Sequence, residues 1–387
     1  MPELATTPSL ERLAEDAFVF RRAYSPSSGT LHSMSGFLAM SYPSMLRIET
    51  WQKAWHGRLH DDEPILSEHF RAAGYETFWV SHNYKYCFDR SIKGFKRGWD
   101  HLRLQPSEPR TVANDARISR VARRTLNEVA GRPFFGWVFF ESPHNRYRKH
   151  YPEMPGDTSL ERYRQEIRFA DEQVGQLLDE LERLSLLEST IVVYFSDHGE
   201  EFREHGGIRH KSTVYSESTR VPLIIRIPGV EGRVIDEPTS TLYVPPWLLL
   251  HSSSSLREAA MLQIVRVFAP MIAATDGGVA IELCGHDRMM SSLVYSDYKF
   301  NYDFIAERYE AFDIRTDPLE QENLFGRDVR ISELAIRVLD RYRTIRRDRR
   351  RYILLPDYEP SEGKKIPKVG RQPPVGKKIP EVGKPAF

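Results

Sequence analysis

The stretch that decides the fold class is TIVVYF, residues 190–195, followed directly by SDHGEE, residues 196–201. The β-branched and aromatic run predicts a buried strand. Where that strand ends, Asp197 and His198 would present a carboxylate oxygen and an imidazole nitrogen to one point, which suits a divalent metal ion. Because an isolated Asp-His pair is more often a turn with a local hydrogen bond, the neighbouring sequence has to support this interpretation.

A second apolar run, Phe134–Phe140, is continuous and rich in aromatic residues. This pattern predicts a strand that is buried on both faces. Glu141-Ser142-Pro143-His144 comes next, so a histidine is displayed where the strand stops. A lone histidine in such a place is more often structural than catalytic. A third β-branched run covers Val221–Ile227.

Helical patterns separate these strands. Residues Asn114–Val129 predict one helix, and Pro64–Ala73 predict another that Gly74 ends. Thr158 or Ser159 can cap a third helix. Its apolar residues recur at a spacing of three or four: Ile167, Ala170, Val174, Leu177, Leu181 and Leu184.

Buried strands that alternate with amphipathic helices predict an α/β fold. The expected architecture is an α/β/α sandwich around a mostly parallel central sheet, with a small C-terminal subdomain. In sheets of this kind the active site lies at the carboxyl ends of the strands. Asp197, His198 and His144 all follow predicted strands, so we expect them near one edge of the sheet.

The composition excludes several classes of protein. The chain has 387 residues, of which 40% are hydrophobic and 28% charged, so it can bury a large core and is not globally disordered. The formal net charge is +1, which gives no chain-wide basic field for nucleic acid. Cys87 and Cys284 are the two cysteines, too few for a disulfide framework or a cysteine-rich zinc site. No run approaches the ~18 apolar residues of a membrane-spanning helix.

The chain divides into three parts. Residues 1–250 carry the strands and motifs, and residues 251–355 predict a smaller C-terminal subdomain. Residues 356–387 are rich in Lys, Pro and Gly, and Gly363–Gly370 recurs with one change as Gly376–Gly383. This density of Pro and Gly disfavours both helix and sheet, so we expect an extended, mobile tail.

The sequence after Asp197 extends the motif. Its further positions are Glu204-His205-Gly206-Gly207, His210, Tyr215 and Arg220-Val221-Pro222-Leu223-Ile224-Ile225. The whole string resembles the metal-ligand segment of the sulfatase family, within the alkaline phosphatase superfamily. The resemblance continues from about residue 5 to about residue 325 through Ser142-Pro143-His144, Ala170–Gly175, Tyr298–Asn301 and Gln321–Leu324.

The nucleophile of that family lies about twelve residues before a Tyr-Pro pair. Here Tyr42-Pro43 fixes the register, and counting back twelve residues reaches Thr30. A rival register that uses Ser25-Pro26-Ser27 would put Tyr24 at the nucleophile, and we reject it because it breaks the spacing. Met34 stands where the family has an arginine that contacts the nucleophile and the substrate anion.

The resemblance implies these roles: Thr30, His144 and His210 catalytic, Asp197 and His198 metal-binding, and Lys211 and Asn83 substrate-binding, with Asn83 the weakest candidate. Active sulfatases need a Cys or Ser at the nucleophile position, because its oxidation makes formylglycine, so no formylglycine is expected at Thr30. A threonine hydroxyl can still attack as a metal-activated alkoxide, which favours phosphate esters as an alternative to sulfate esters. One divalent cation is implied, calcium for a sulfatase and manganese or zinc for a phosphoesterase.

The expected substrate is a small-molecule or carbohydrate sulfate or phosphate ester, with no nucleic-acid partner. The family opens with a hydrophobic strand that ends in a metal-binding Asp, whereas Met1 stands about where the segment after that strand begins. We therefore expect either a true start further upstream or a decayed copy. As written the sequence predicts a cytoplasmic protein, but an upstream start could restore a signal sequence.

Two other functions stay open. The missing strand, Thr30 and Met34 together fit a catalytically inactive fold that acts as a binding or scaffold protein. More weakly, the arginine-rich run Arg341–Arg351 and the lysine-rich tail fit a protein that binds an anionic polymer.

Overall fold

The computed structural model describes residues 7–51, 53–83, 92–106, 115–284, 289–347 and 353–354. Helices in these ranges are α1 (Pro8–Ala14), α2 (Thr30–Ala39), α3 (Leu66–Ala72), α4 (Asp115–Val129), α5 (Ser159–Arg183), α6 (Ser216–Thr219), α7 (Val244–Ser252), α8 (Ser254–Gln263), α9 (Ala269–Ala274) and α10 (Val329–Arg347). A π-helical turn, Ile264–Phe268, joins α8 to α9. No helix in the described ranges is both long enough and apolar enough to cross a bilayer.

The strands fall into short segments. In chain order they are β1 (Phe18–Phe20), β2 (Ala23–Tyr24), β3 (Ile48–Trp51), β4 (Lys53–Leu59), β5 (Glu76–Asn83), β6 (Ile92–Lys93), β7 (His101–Pro106), β8 (Phe134–Val138), β9 (Val192–Phe195), β10 (Glu201–Phe202), β11 (Ile208–Arg209), β12 (Arg220–Val221), β13 (Leu223–Arg226), β14 (Val234–Ile235), β15 (Thr239–Ser240), β16 (Val279–Cys284), β17 (Met289–Tyr295), β18 (Tyr298–Asp303), β19 (Arg308–Asp313) and β20 (Ile353–Leu354).

The centre of the fold is made of two sheets. In the first, β5 pairs in parallel with β7 on one side and with β8 on the other. In the second, the order is β14-β1-β13-β9, and β13 runs antiparallel to both β1 and β9. The predicted strand Val221–Ile227 is interrupted at Pro222, which lies between β12 and β13 and cannot donate a ladder hydrogen bond.

Successive side chains of a strand point to opposite sides, so each of these sheets has two apolar faces to bury. Helices cover both of them. On one face, Phe70 of α3 stacks on Phe135 with ring centroids 4.4 Å apart. On the other face, Phe134 and Val138 pack against a cluster that includes Ile118 of α4. The α/β/α layering predicted from the sequence is therefore confirmed.

The predicted helices differ from the observed ones mainly at their ends. Thr158 is the cap of α5, and its side-chain oxygen accepts a hydrogen bond from the Glu161 amide at 3.1 Å. The Glu161 carboxylate in turn accepts from the Thr158 amide at 2.8 Å, which completes a capping box. Gly74 has φ +85°, the left-handed conformation that ends α3 at low cost.

A small antiparallel sheet forms the C-terminal subdomain, in the order β16-β17-β18-β19. The buried Glu282 of β16 accepts from the Ser44 amide at 2.7 Å and from the Tyr342 hydroxyl of α10. It thereby connects the subdomain to the segment after α2. Of the predicted arginine-rich run, residues 341–347 belong to α10 and residues 348–351 lie outside the described residues, as does the predicted tail at 356–387.

The edges of β8 and β9 are more open than the sequence predicts. The prediction was a strand buried on both faces over Phe134–Phe140, yet the strand ends at Val138 and its side chains are partly exposed. The side chains of β9 are partly exposed as well. Among the described residues β8 has a ladder only with β5, and β9 only with β13. The central sheet is thus open between β8 and β9, although Trp137 and Phe195 pack edge to face across the opening at 5.8 Å.

The open edge predicts a pattern of amide hydrogen exchange. The Phe139 amide donates to Val80 and the Glu76 amide to Pro133, so odd-numbered amides of β8 point towards β5. We expect the amides of Gly136 and Val138 to exchange about tenfold or more faster than those of Trp137 and Phe139. Residue-resolved exchange measured by NMR at neutral pH tests this, and equal protection of all four amides would contradict an open edge.

Candidate active site

Three side chains that are distant in the sequence meet at the carboxyl end of β9. Asp197 and His198 follow that strand directly, and Thr30 is the first residue of α2. Thr30 Oγ1 lies 3.1 Å from His198 Nε2, and Asp197 Oδ2 lies 3.5 Å from the same nitrogen. Thr30 is only 6% exposed. The structure therefore brings together the predicted nucleophile and the two predicted metal ligands.

A serine-rich segment holds the start of α2 against this strand end. The Ser25 hydroxyl contacts the backbone carbonyl of Asp197 and lies 2.9 Å from Ser33 Oγ. Ser33 also donates to the Ser27 carbonyl at 2.8 Å. All three serines are buried, so these bonds fix the loop that leads into Thr30.

Two further predicted histidines complete a row of three imidazoles. The ring of His210 lies 4.2 Å from that of His198, and the ring of His144 lies 5.2 Å from that of His210, measured between centroids. Lys211 directly follows His210. Its amide donates to the Ser28 carbonyl at 2.9 Å, which connects this segment to the loop before α2. Asn83 is the last residue of β5, and its side chain lies outside the described residues.

The hydrogen bonds of these three histidines share one pattern. Nδ1 of His198 lies 2.8 Å from the Gly199 carbonyl, and Nδ1 of His144 lies 2.9 Å from the Asn145 carbonyl. Nδ1 of His210 lies 3.1 Å from Glu200 Oε1. Each acceptor fixes the proton on Nδ1, so a neutral ring keeps its lone pair on Nε2. For His198 this lone pair faces the Thr30 hydroxyl, which therefore donates to it.

Burial shifts the pKa values of two side chains at the site. It lowers the pKa of His210 well below the usual value, and the positive charges of His198 and Lys211 act in the same direction. Burial also raises the pKa of Glu141 to about 8, with further contributions from Asp115 and Asp197. Burial thus favours a neutral ring at His210 and disfavours a negative charge at Glu141.

One carboxylate oxygen of Asp197 lacks a hydrogen-bond donor among the described residues, as expected of a group that binds a cation. This oxygen is Oδ2, which is buried. An unsatisfied buried carboxylate oxygen is costly unless a cation or another donor approaches it. Oxygen and imidazole donors suit Ca²⁺, Mn²⁺ or Zn²⁺. Within the described ranges no group of three or more His, Cys, Asp or Glu side chains is arranged to hold a metal, so Asp197 and His198 do not by themselves make a complete metal site.

The sequence did not single out Glu200 as a partner of His210. The adjacent carboxylates of Glu200 and Glu201 have different partners. The Glu201 carboxylate forms buried hydrogen bonds: it accepts from the hydroxyls of Thr213 and Ser218 at 2.8 and 2.7 Å. Glu200 instead anchors a site histidine across the β10–β11 hairpin, a contact that sequence spacing does not indicate.

His205 links the hairpin to the C-terminal subdomain. Its Nδ1 lies 2.7 Å from Glu217 Oε1 and its Nε2 3.0 Å from the Glu320 carbonyl. Burial opposes protonation, but the Glu320 carbonyl and the Glu217 carboxylate outweigh it and raise the pKa of His205. The protonated ring donates both bonds, so His205 has a structural role.

Met34, which replaces the arginine of the resembled family, is buried in the core rather than facing the site. It therefore provides no charge to the row of imidazoles.

Comparison with known proteins agrees with the sequence motif. The family model described as Sulfatase matches residues 2–252. Choline-sulfatase of Rhizobium meliloti is 32% identical over 161 residues, which are 41% of this chain and 31% of that protein. Endo-4-O-sulfatase of Bacteroides thetaiotaomicron is 26% identical over 326 residues, which are 70% of this chain and 64% of that protein. The chain thus spans between about a third and two thirds of these two relatives.

A solved structure has the same fold. The crystal structure of Ps i-CgsB superposes with a TM-score of 0.70 at 15% sequence identity, and the match covers 91% of this chain and 89% of that one. At this level of identity the likeness shows the fold alone.

The raised pKa of His205 predicts a pH-dependent contribution to stability. Because the folded protein holds the His205 proton more tightly than the unfolded chain does, the contribution is fully present below the unfolded pKa of about 6.5. It is lost as the pH rises through the folded pKa. We expect His205→Gln to reduce the free energy of unfolding more at pH 5.5 than at pH 8.5, measured by denaturant titration. An equal loss at both pH values would contradict the assignment.

Proposed function

The chain belongs to the sulfatase family, and we propose that it is a metal-dependent hydrolase that cleaves a sulfate ester of a carbohydrate with Thr30 as the nucleophile. The observation that carries the proposal is the 3.1 Å contact between Thr30 Oγ1 and His198 Nε2 beside an unsatisfied Asp197 oxygen. A carbohydrate substrate is supported by the name of the relative endo-4-O-sulfatase and by the structure of Ps i-CgsB in complex with k-i-k-neocarrahexaose.

Asp197 Oδ2 and His198 Nε2 are the atoms that would hold a divalent cation. When bound there, the cation would lower the pKa of the nearby Thr30 hydroxyl and offset the charge of the ester anion. His198 Nε2 has a single lone pair, so it cannot bind a cation and accept the Thr30 proton together. We therefore assign His198 as a ligand in the loaded protein and as the acceptor of the Thr30 hydrogen bond in the free one.

In the proposed reaction the Thr30 hydroxyl gives its proton to solvent, its oxygen forms a bond to sulfur, and the bond from sulfur to the alcohol oxygen breaks. His210 or His144 gives a proton to the departing alcohol. Burial lowers the pKa of both rings, but a bound anion favours their protonated form. Water then attacks the sulfur and releases sulfate from Thr30, and its two protons return to the Thr30 oxygen and to the donor histidine. The net change is ester plus water to alcohol, sulfate and one proton. Lys211 would contact the sulfate oxygens.

Thr30 also favours a second candidate function, hydrolysis or transfer of a phosphate ester. The threonine carries a single hydroxyl and cannot form the hydrated aldehyde on which the formylglycine sulfatases depend. A threonine alkoxide is a competent nucleophile at phosphorus. The two candidates use the same residues and differ in the ester that is cleaved.

A substrate panel separates the candidates. We expect the chain, supplied with Ca²⁺ or Mn²⁺, to hydrolyse 4-nitrophenyl sulfate, and Thr30→Val to reduce the rate by a factor of about 10² or more because the nucleophile is lost. Release of 4-nitrophenol measures both. Thr125→Val, which removes a buried hydroxyl of α4 that bonds to the Val121 carbonyl, is the matched control and should keep the rate. If only bis(4-nitrophenyl) phosphate reacts, the sulfate-ester assignment is wrong.

Metal binding is tested separately from turnover. We expect Ca²⁺ or Mn²⁺ at about 100 times its Kd to stabilise the chain by about 2.7 kcal/mol and to raise the Tm by several degrees. Asp197→Asn should abolish the shift, because it removes the negative charge that the cation contacts. Asp236→Asn, at an exposed salt bridge with Arg21, should keep it. An undiminished shift in Asp197→Asn would exclude Asp197 as a ligand, and no shift in either protein would favour an inactive fold with a binding role.

A further inference from the structure

A second pair of side chains lies beside the two outer histidines of the site. His144 contacts His210, and their sequence neighbours Asn145 and Arg209 also meet. The Asn145 amide is oriented by its hydrogen bonds so that its oxygen accepts from Arg209 Nε at 2.8 Å and from Arg209 Nη2 at 3.1 Å. The loop after β8 and strand β11 therefore run side by side over two consecutive residues.

Arg209 carries a charge that no neighbouring carboxylate neutralises. It is exposed, and among the described residues no Asp or Glu lies within salt-bridge distance of its guanidinium. Asn145 occupies one edge of the guanidinium, and the remaining N–H groups are free to donate.

Arg209 is close enough to influence the proposed reaction centre. It directly precedes His210, and Asn145 directly follows His144, whose ring lies 5.2 Å from that of His210 between centroids. A ligand group bound to Arg209 would therefore be a neighbour of the ester held at His210.

The backbone around His210 is held in an unusual conformation. Arg209 has φ +71° and Lys211 has φ +72°, both in the left-handed region that non-glycine residues rarely adopt. Strain of this kind is concentrated at ligand clamps and active sites. Pairing of Arg209 with Glu201 and the bond from the Lys211 amide to Ser28 keep the strained conformation in place.

The geometry points to a second anion-binding position at Arg209 and Asn145, which would take a further sulfate or carboxylate of the same saccharide. This inference rests on the proposed function, because it places the ester itself beside Thr30. A guanidinium binds both oxoanions through parallel N–H bonds, and Asn145 preorganises its plane. The substrate class is then a saccharide with at least two anionic groups, not a neutral sugar with a single sulfate.

Binding measurements test the second position without relying on turnover. The probes are N-acetylglucosamine 6-sulfate, with one anion, glucosamine 2-N,6-O-disulfate, with a second sulfate, and the unsaturated chondroitin 4-sulfate disaccharide, with a carboxylate. We expect the chain to bind at least one two-anion probe about tenfold more tightly than the one-anion probe, since a charged hydrogen-bonded pair contributes to that degree. Which of the two is preferred identifies the anion as sulfate or carboxylate. Isothermal titration calorimetry gives the Kd values.

Two variants decide the outcome. Arg209→Gln should remove the preference for two anions and leave the Kd of the one-anion probe unchanged. Arg203→Gln, an exposed arginine with positive φ in the turn of the same hairpin, should keep the preference. Three results would overturn the proposal. Arg209→Gln could weaken the binding of all probes equally, it could leave every Kd unchanged, or the parent chain could show no preference for two anions. If the preference is present and depends on Arg209 while no ester is hydrolysed, the binding position stands and the proposed reaction fails.

Discussion

The contact between Thr30 Oγ1 and His198 Nε2 is the interaction on which the site depends, because it joins two elements that are 168 positions apart. Strand β9 ends at Phe195 and helix α2 begins at Thr30, so the hydroxyl meets the imidazole only where the strand end and the helix start are packed together. The buried serines before α2 maintain that packing through the Asp197 carbonyl. Displacing either element by one residue would separate the proposed nucleophile from the proposed ligands.

The row of imidazoles follows from the same arrangement. Hairpin β10–β11 returns the chain so that His210 stacks against His198, and the loop after β8 adds His144 from the other side. Each ring has its Nδ1 held by an acceptor, which directs three Nε2 atoms away from the backbone. Burial lowers the pKa of His144 and His210, so both rings can take up a proton when an anion arrives.

The strand end at Asp197 and the position of Thr30 could be predicted from the sequence, because each is indicated by a short stretch of residues. A β-branched run followed by Asp-His-Gly indicates a strand end with a metal-binding pair, and the spacing to Tyr42-Pro43 located Thr30. The partner of His210 could not be predicted, since Glu200 reaches it across a hairpin whose geometry depends on two left-handed residues. The pairing of Asn145 with Arg209 has the same origin in tertiary packing.

The open edge of the sheet could not be predicted from the hydrophobic pattern of a single strand. A continuous apolar run such as Phe134–Phe140 predicts burial on both faces, but burial also requires neighbouring strands. In the described residues β8 and β9 each lack a partner on one side, and their apolar side chains are covered mainly by the helices above and below. Asp197 and His198 lie at the end of this opening, directly after β9.

The role of Thr30 is tested most directly by peptide mass mapping of the protein after rapid acid quench during turnover of a sulfate monoester or a phosphate monoester. If Thr30 is the nucleophile, the peptide that contains it gains about 80 Da, because the transferred group is bound to its oxygen before water releases it. Turnover with that group on another residue, or no transfer to Thr30 from either kind of ester, would contradict this role.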